Sequence, residues 1–175
     1  SQSPEMVTAR LPIAKYVSAT SNAPIKKRVE SIGVDVTAKS AVVIDLASGE
    51  VLFSKDSDTA YPIASLTKLI SVSTLLDQKL DLDEKIAITK ADAGYARAIF
   101  FQGETFTRRE LIKAMLVGSS NEAANALART SPGGYDAFIA KMRVKARDMG
   151  MRRAEFYDAA GLDPRNKATA QDIAF

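Results

Sequence analysis

Two short β-branched runs constrain the fold of this chain more than any other feature. Residues 40–46 (SAVVIDL) and 50–55 (EVLFSK) are apolar, and Ala47-Ser48-Gly49 joins them. Short apolar runs separated by a glycine-containing turn predict a β-hairpin. Two strands alone make a poor sheet in water. The hairpin therefore needs further strands, or helices laid against it, and the rest of the chain supplies mainly helical patterns. The expected class is α+β, an antiparallel sheet with flanking helices and a helical subdomain over about residues 80–165.

The patterns around the hairpin set the organisation. Residues 1–22 are rich in Ser, Thr, Pro and Ala without clear periodicity and read as a tail or linker; residues 23–175 read as one, partial, domain. Ile25, Val29 and Ile32 recur at helical spacing, so a helix is expected over 23–32, with Asn22 as its cap and Gly33 as its end. Residues 65–77 place Leu66, Leu69, Ile70, Ser73 and Leu76 on one side of a helix. After residue 80 the chain reads as mostly helical. Thr107 and Glu110 have capping-box spacing ahead of Leu111, Ile112, Met115 and Leu116, and Gly118 ends that helix. Further helices are expected from Ser120 to about Ala128, and from Tyr135 to Met149 with Phe138, Ile139, Met142 and Ala146 inward and Gly150 as the stop. Residues 157–167 read as loop. Thr169 and Asp172 form another capping box before Ile173, Ala174 and Phe175, after barely one turn. The expectation is a domain incomplete at its C-terminus, whose sheet a missing segment or a second chain completes.

Composition narrows the chemistry. The 175 residues contain no histidine and no cysteine. That excludes Ser-His-Asp and Cys-His catalysis within the chain and removes the commonest zinc ligand; no metal or cofactor is expected. A net charge of +3 is too small to argue for nucleic acid, and Lys26-Lys27-Arg28 is followed at once by Glu30, as on a solvated face. No apolar run of about 20 residues predicts a membrane span. Lys, Asp, Glu, Tyr or Ser must carry any proton.

Ser65-Leu66-Thr67-Lys68 has the form S-x-x-K. On a helix the two end residues share a face, so Ser65 Oγ and Lys68 Nζ can meet. A serine at a helix start also feels the positive end of the dipole. An uncharged lysine can take the serine proton if burial or a neighbouring cation lowers its pKa. With 15 Ser and 13 Lys in 175 positions, about one such tetrapeptide is expected from composition alone. Its setting carries the weight: hairpin, polar loop, Pro62-Ile63-Ala64, then the serine at a helix start. Ser119-Ser120-Asn121, of the form S-x-N, falls in a turn between two expected helices. Ser and Asn are also ordinary helix caps. A hydroxyl there could pass a proton, and an amide there could hold a substrate carbonyl or the lysine.

Longer strings carry more information than either motif. AVVIDLASGEVLFSKDSDTAYPIASLTKL, ELIKAMLVGSSNEAANALA, FYDAAGLD and ATAQDIA, in order over residues 40–175, resemble the serine D-alanyl-D-alanine carboxypeptidase family, the low-molecular-weight penicillin-binding proteins. The resemblance implies that Ser65 attacks the carbonyl between two D-alanines, that Lys68 is the general base, that Ser119 relays the proton to the departing D-alanine, and that Asn121 binds the substrate amide and orients Lys68. It implies the Ser65 backbone N–H as one oxyanion donor, peptidoglycan peptides as substrates, β-lactams as covalent inhibitors, and an extracytoplasmic location after signal-peptide removal.

The chain departs from the family pattern in three places. The family's K-T-G element does not occur in these 175 residues. Glu122 stands where members usually have Asp, and Met142-Arg143 where they usually have Met-Asn; both changes are expected at the surface. A class A β-lactamase is the enzymatic alternative, but the E-x-x-L-N setting of its deacylating glutamate is absent from the sequence. A non-catalytic penicillin-binding-protein-like module is the other alternative, against which Ser65, Lys68, Ser119 and Asn121 are all present.

Overall fold

The computed structural model describes residues 24–31, 33–93 and 100–174. The expected tail over residues 1–22, the Asn22 cap, Ile32 and Phe175 lie outside them. The chain divides into two compact units, Ser1–Thr59 with Thr169–Phe175, and Ala60–Ala168.

In the first unit, β1 (Ala41–Ile44) and β2 (Val51–Lys55) form the expected antiparallel hairpin. Its register slips between Val43, opposite Phe53, and Ile44, opposite Val51. One extra residue on β2 makes a bulge, the usual device for bending a ribbon. Asp45 ties the turn together: its carboxylate accepts from Ser48 N at 2.8 Å and Ser48 Oγ at 2.6 Å. The Thr169/Asp172 capping box forms as expected and opens α5 (Ala170–Ile173), whose Gln171 donates from its backbone to Ser57 O at 3.1 Å. The helix expected over 23–32 does not form. Residues 24–31 make only a bend and a turn, and Ile25 and Val29 are exposed. A short helix without a surface to bury its apolar side against is marginal in water, and three adjacent cations do not help it.

The second unit is a helical layer with two small ribbons. β3 (Tyr61–Pro62) leads through a 3-10 turn over Ala64–Leu66 into α1 (Thr67–Asp77). β4 (Lys85–Ala87) pairs antiparallel with β5 (Thr105–Thr107), followed by α2 (Arg108–Val117), α3 (Asn121–Arg129), α4 (Gly134–Asp148) and β6 (Lys167–Ala168), which pairs with β3. The β4–β5 ribbon is an addition to the stretch after residue 80, whose regular structure is otherwise mainly helical, as expected. Three-residue strands are too short to display alternation, and 17 residues separate them. The other helices follow the sequence. Thr107 and Glu110 make the reciprocal capping box of α2, Ser120 caps α3 through Ala123 N at 3.1 Å, and Phe138, Ile139, Met142 and Ala146 are the buried residues of α4.

The core lies between α1, α2, α3 and α4. α3 contributes Ala123, Ala124, Ala126, Leu127 and Ala128, all buried; small side chains let neighbouring helices approach closely around it. α1 turns Thr67, Lys68, Ile70, Ser71, Thr74 and Leu75 inward. Leu66, Leu69 and Leu76, on the apolar side marked by the sequence, are 47%, 48% and 56% exposed. The inward side is thus the more polar one, because it carries the residues that bond to the 157–166 segment. Among the described residues, no helix is long and apolar enough to cross a membrane and no cluster of three or more His, Cys, Asp or Glu could hold a metal ion.

Candidate active site

The four residues singled out by sequence meet in one place within the second unit. Lys68 Nζ lies 3.0 Å from Ser65 Oγ and 2.9 Å from Asn121 Oδ1, and Ser119 Oγ lies 2.8 Å from Ser65 Oγ. Local structure explains each placement. The 3-10 turn carries Ser65 and α1 carries Lys68 one turn later, as the i, i+3 spacing requires. Asn121 is the first residue of α3, and Ser119 precedes the Ser120 cap in the turn from α2.

That turn and the entry to α1 are both strained. Ala64 has φ 45° and Ser119 φ 55°, two of four non-glycine residues with positive φ among the described residues. An L-residue there costs about 1–2 kcal/mol. Strain of this kind persists where surrounding structure over-determines it. Here it aims two hydroxyls at each other from separate elements.

The lysine is buried, 2% exposed, while Ser65 and Ser119 are open to solvent. A groove of about 340 Å³ opens beside them, lined by Ile63, Leu66, Leu69, Met115 and Leu116 together with Ser65, Lys68 and Ser119. Burial pushes the Lys68 pKa below its ordinary value, and the negative charges of Asp158 and Glu122 oppose that shift. The net displacement moves the amine toward its uncharged form, the form that can accept a proton.

Three partners were not legible from motif spacing. The first is the Ala160 carbonyl, which accepts from Lys68 Nζ at 2.7 Å. The second is Asn166, fully buried, whose Nδ2 donates to Thr67 Oγ1 at 3.1 Å and to Asp158 O at 3.1 Å, while its Oδ1 accepts from Tyr157 N at 2.7 Å. It fastens the 157–166 segment to the first turn of α1. Ser71 does the same one turn later, donating to Ala159 O at 2.7 Å. The third is Glu122. Sequence placed it at the surface, as it did Arg143; Arg143 is exposed, but Glu122 is buried. The Glu122 carboxylate accepts from Ser120 Oγ at 2.8 Å near the α3 N-terminus, where the helix dipole favours a negative charge, and that charge acts on Lys68. Met142 packs under α1, with Ser71 Oγ 3.5 Å from its sulfur. FYDAAGLD signalled that residues 156–163 matter, but not which backbone atom meets the lysine.

An amine held out of water against a serine hydroxyl, with a second serine bridging to solvent, is an arrangement suited to acyl transfer without histidine. Residues 25–175 match the D-alanyl-D-alanine carboxypeptidase family, peptidase S11. The chain is 36% identical over 166 residues to a D-alanyl-D-alanine endopeptidase of Pseudomonas aeruginosa, covering 93% of this chain and 53% of that protein. Among solved structures it resembles a D-alanyl-D-alanine carboxypeptidase of Mycobacterium tuberculosis (TM-score 0.75, 33% identity, 83% of this chain and 56% of that one). It also resembles penicillin-binding protein D2 of Listeria monocytogenes in its cefotaxime-bound form (TM-score 0.74, 29% identity, 82% and 62%). The chain spans about half the length of the curated relatives it matches. The extent of the family match and the fold shared with penicillin-binding proteins lead to one conclusion: the chain belongs to the D-alanyl-D-alanine carboxypeptidase family.

Proposed function

We propose that this chain carries the acylation machinery of a serine D-alanyl-D-alanine peptidase that acts on peptidoglycan stem peptides outside the cytoplasm. The observation that carries the reading is the Lys68 amine, buried and 3.0 Å from Ser65 Oγ, with Asn121 Oδ1 and Ala160 O as its other two partners. A neutral amine has two N–H bonds and one lone pair. Two fixed acceptors take the two N–H bonds, and the lone pair is left pointing at the serine.

In the proposed sequence Ser65 Oγ attacks the carbonyl carbon between two D-alanines, and its proton passes to Lys68 Nζ. The Ser65 backbone N–H helps to stabilise the oxyanion. Ser119, 2.8 Å from Ser65 Oγ, passes a proton from Lys68 to the departing nitrogen as the C–N bond breaks. D-alanine leaves and an ester on Ser65 remains. Water, or a peptide amine, then takes the acyl group and returns the proton to Ser65. Asn121 shares its side-chain amide between Lys68 and the substrate backbone. β-Lactams, whose strained amide mimics the scissile bond, acylate the same oxygen and are the covalent inhibitors expected.

The test is release of free D-alanine by the full-length protein from a peptide ending in D-Ala-D-Ala. Release should be absent from Ser65→Ala, and absent for a peptide ending in L-Ala-L-Ala. Undiminished release by Ser65→Ala would overturn the reading.

A further inference from the structure

One of the three partners of the Lys68 amine comes from neither α1 nor α3. Ala160 O belongs to the 157–166 segment, which contains no helix or strand. Its position must therefore be set by bonds within that segment, and those bonds converge on one side chain. Asp158 Oδ1 accepts from Ala160 N at 3.0 Å and from Gly161 N at 2.5 Å, and Asp158 Oδ2 accepts from Asp163 N. Asn166 Nδ2 donates to Oδ1 as well, at 3.1 Å.

Gly161 N and Ala160 O are the two ends of one peptide group. Its N–H is gripped by the Asp158 carboxylate, and its C=O is aimed at Lys68 Nζ. A rigid, planar peptide held at one end by an anion has little freedom at the other, and a charge-assisted bond to the N–H polarises the carbonyl further. We propose that Asp158 is a positioning residue for the Lys68 amine, clamping the Ala160–Gly161 peptide so that its carbonyl orients the amine toward Ser65, and placing a negative charge within reach of that amine. The proposal rests on Lys68 acting as the base.

Charge and orientation act on the same amine: the carboxylate favours its protonated form, and the carbonyl fixes its direction. The ionised groups that act on Lys68 are Asp158 and Glu122; each favours the ammonium, and burial opposes both. Tyr135, whose hydroxyl oxygen accepts from Ala159 N at 3.2 Å on the same turn, has its pKa raised chiefly by burial and stays uncharged. Removing the Asp158 charge therefore lets Lys68 lose its proton at lower pH. An aspartate that merely shaped the turn would change stability and the maximal rate, but not where Lys68 titrates.

The experiment measures two quantities in the full-length protein. One is the titration of Lys68, followed by NMR with labelled lysine and assigned with Lys68→Arg. The other is the rate of acylation by a penicillin as a function of pH. In Asp158→Asn both midpoints should move to lower pH together, and the plateau rate should fall roughly ten- to a hundredfold as the carbonyl loses its fixed direction. Asp158→Ser keeps an acceptor for the turn amides and carries the same expectation should the asparagine variant lack a native circular dichroism spectrum. A Lys68 midpoint unchanged from wild type in the folded variant would overturn the proposal. A Lys68 midpoint that moves while the acylation profile stays put would instead overturn Lys68 as the base, leaving its coupling to Asp158 intact.

Discussion

Gly161 and Gly150 share a backbone conformation and differ in their surroundings, which makes them a controlled pair. Both have φ +84°. An added Cβ at Gly150 meets nothing within 4 Å, whereas at Gly161 it would lie 1.9 Å from Ala64 O, 2.4 Å from Ala64 C and 3.0 Å from Thr67 Oγ1. Both alanine variants incur the left-handed penalty, about 1–2 kcal/mol. Only Gly161→Ala adds a collision with backbone. Since Cβ contacts under 3.0 Å are essentially never seen, the two backbone segments must part by at least about 1.1 Å. Overpacking of that kind costs about 1–3 kcal/mol. Gly161→Ala should thus lose about 2–5 kcal/mol of stability in urea unfolding, against about 1–2 kcal/mol for Gly150→Ala. The displacement also lies at the site. It parts Ala64, which precedes Ser65, from the peptide whose carbonyl meets Lys68, so acylation should fall on the order of a hundredfold. Gly150→Ala should acylate as wild type. Equal stability losses in the two variants, or wild-type acylation by Gly161→Ala, would refute the close approach as a determinant of the site.

Other perturbations separate the remaining parts of the account. Lys68→Arg should abolish acylation with the fold retained, because arginine keeps its proton at any working pH; stopped-flow acylation and circular dichroism together check this. Ser71→Ala leaves the buried Ala159 carbonyl without the hydroxyl that meets it at 2.7 Å, and chemical denaturation should register a loss of about 1–3 kcal/mol. Arg129 donates to both oxygens of Asp92 at 2.8 Å, and Asp92 is 1% exposed. Arg129→Met should cost about 3 kcal/mol at neutral pH. Burial raises the Asp92 pKa, but bonds from Arg129 and Thr89 outweigh it and hold the carboxyl below its ordinary 3.8. Its contribution is therefore present above that value and fades as pH falls through the folded-state pKa. The Tm gap between wild type and Arg129→Met should narrow as pH drops below about 4.

Where local chemistry decides structure, the sequence was readable. The Thr107/Glu110 and Thr169/Asp172 boxes and the inward face of α4 appear as expected, because caps and a 3.6-residue period act within one element. The helix expected over 23–32 failed for the complementary reason: periodicity states which side could be buried, not that a surface exists to bury it. Strands β4 and β5 escaped because pairing between three-residue segments leaves no local pattern. Glu122 was misplaced because a carboxylate two residues after a helix cap looks solvent-facing until α1 and α3 are brought together. At the candidate site, the four side chains that meet, Ser65, Lys68, Ser119 and Asn121, were legible because S-x-x-K and S-x-N name them by residue type. The Ala160 carbonyl was not, since every residue has one, and only the folding of Asp158 and Asn166 around it distinguishes this carbonyl from its neighbours.

The central claim is that the Ser65 oxygen, activated by the Lys68 amine, is the acyl acceptor. Peptide mapping by mass spectrometry after acid quench of the full-length protein with a penicillin tests it most directly. The account predicts one penicilloyl adduct, on Ser65, formed by wild type and lost in both Ser65→Ala and Lys68→Arg. An adduct on Ser119 or any other residue, or an undiminished Ser65 adduct in Lys68→Arg, would contradict it.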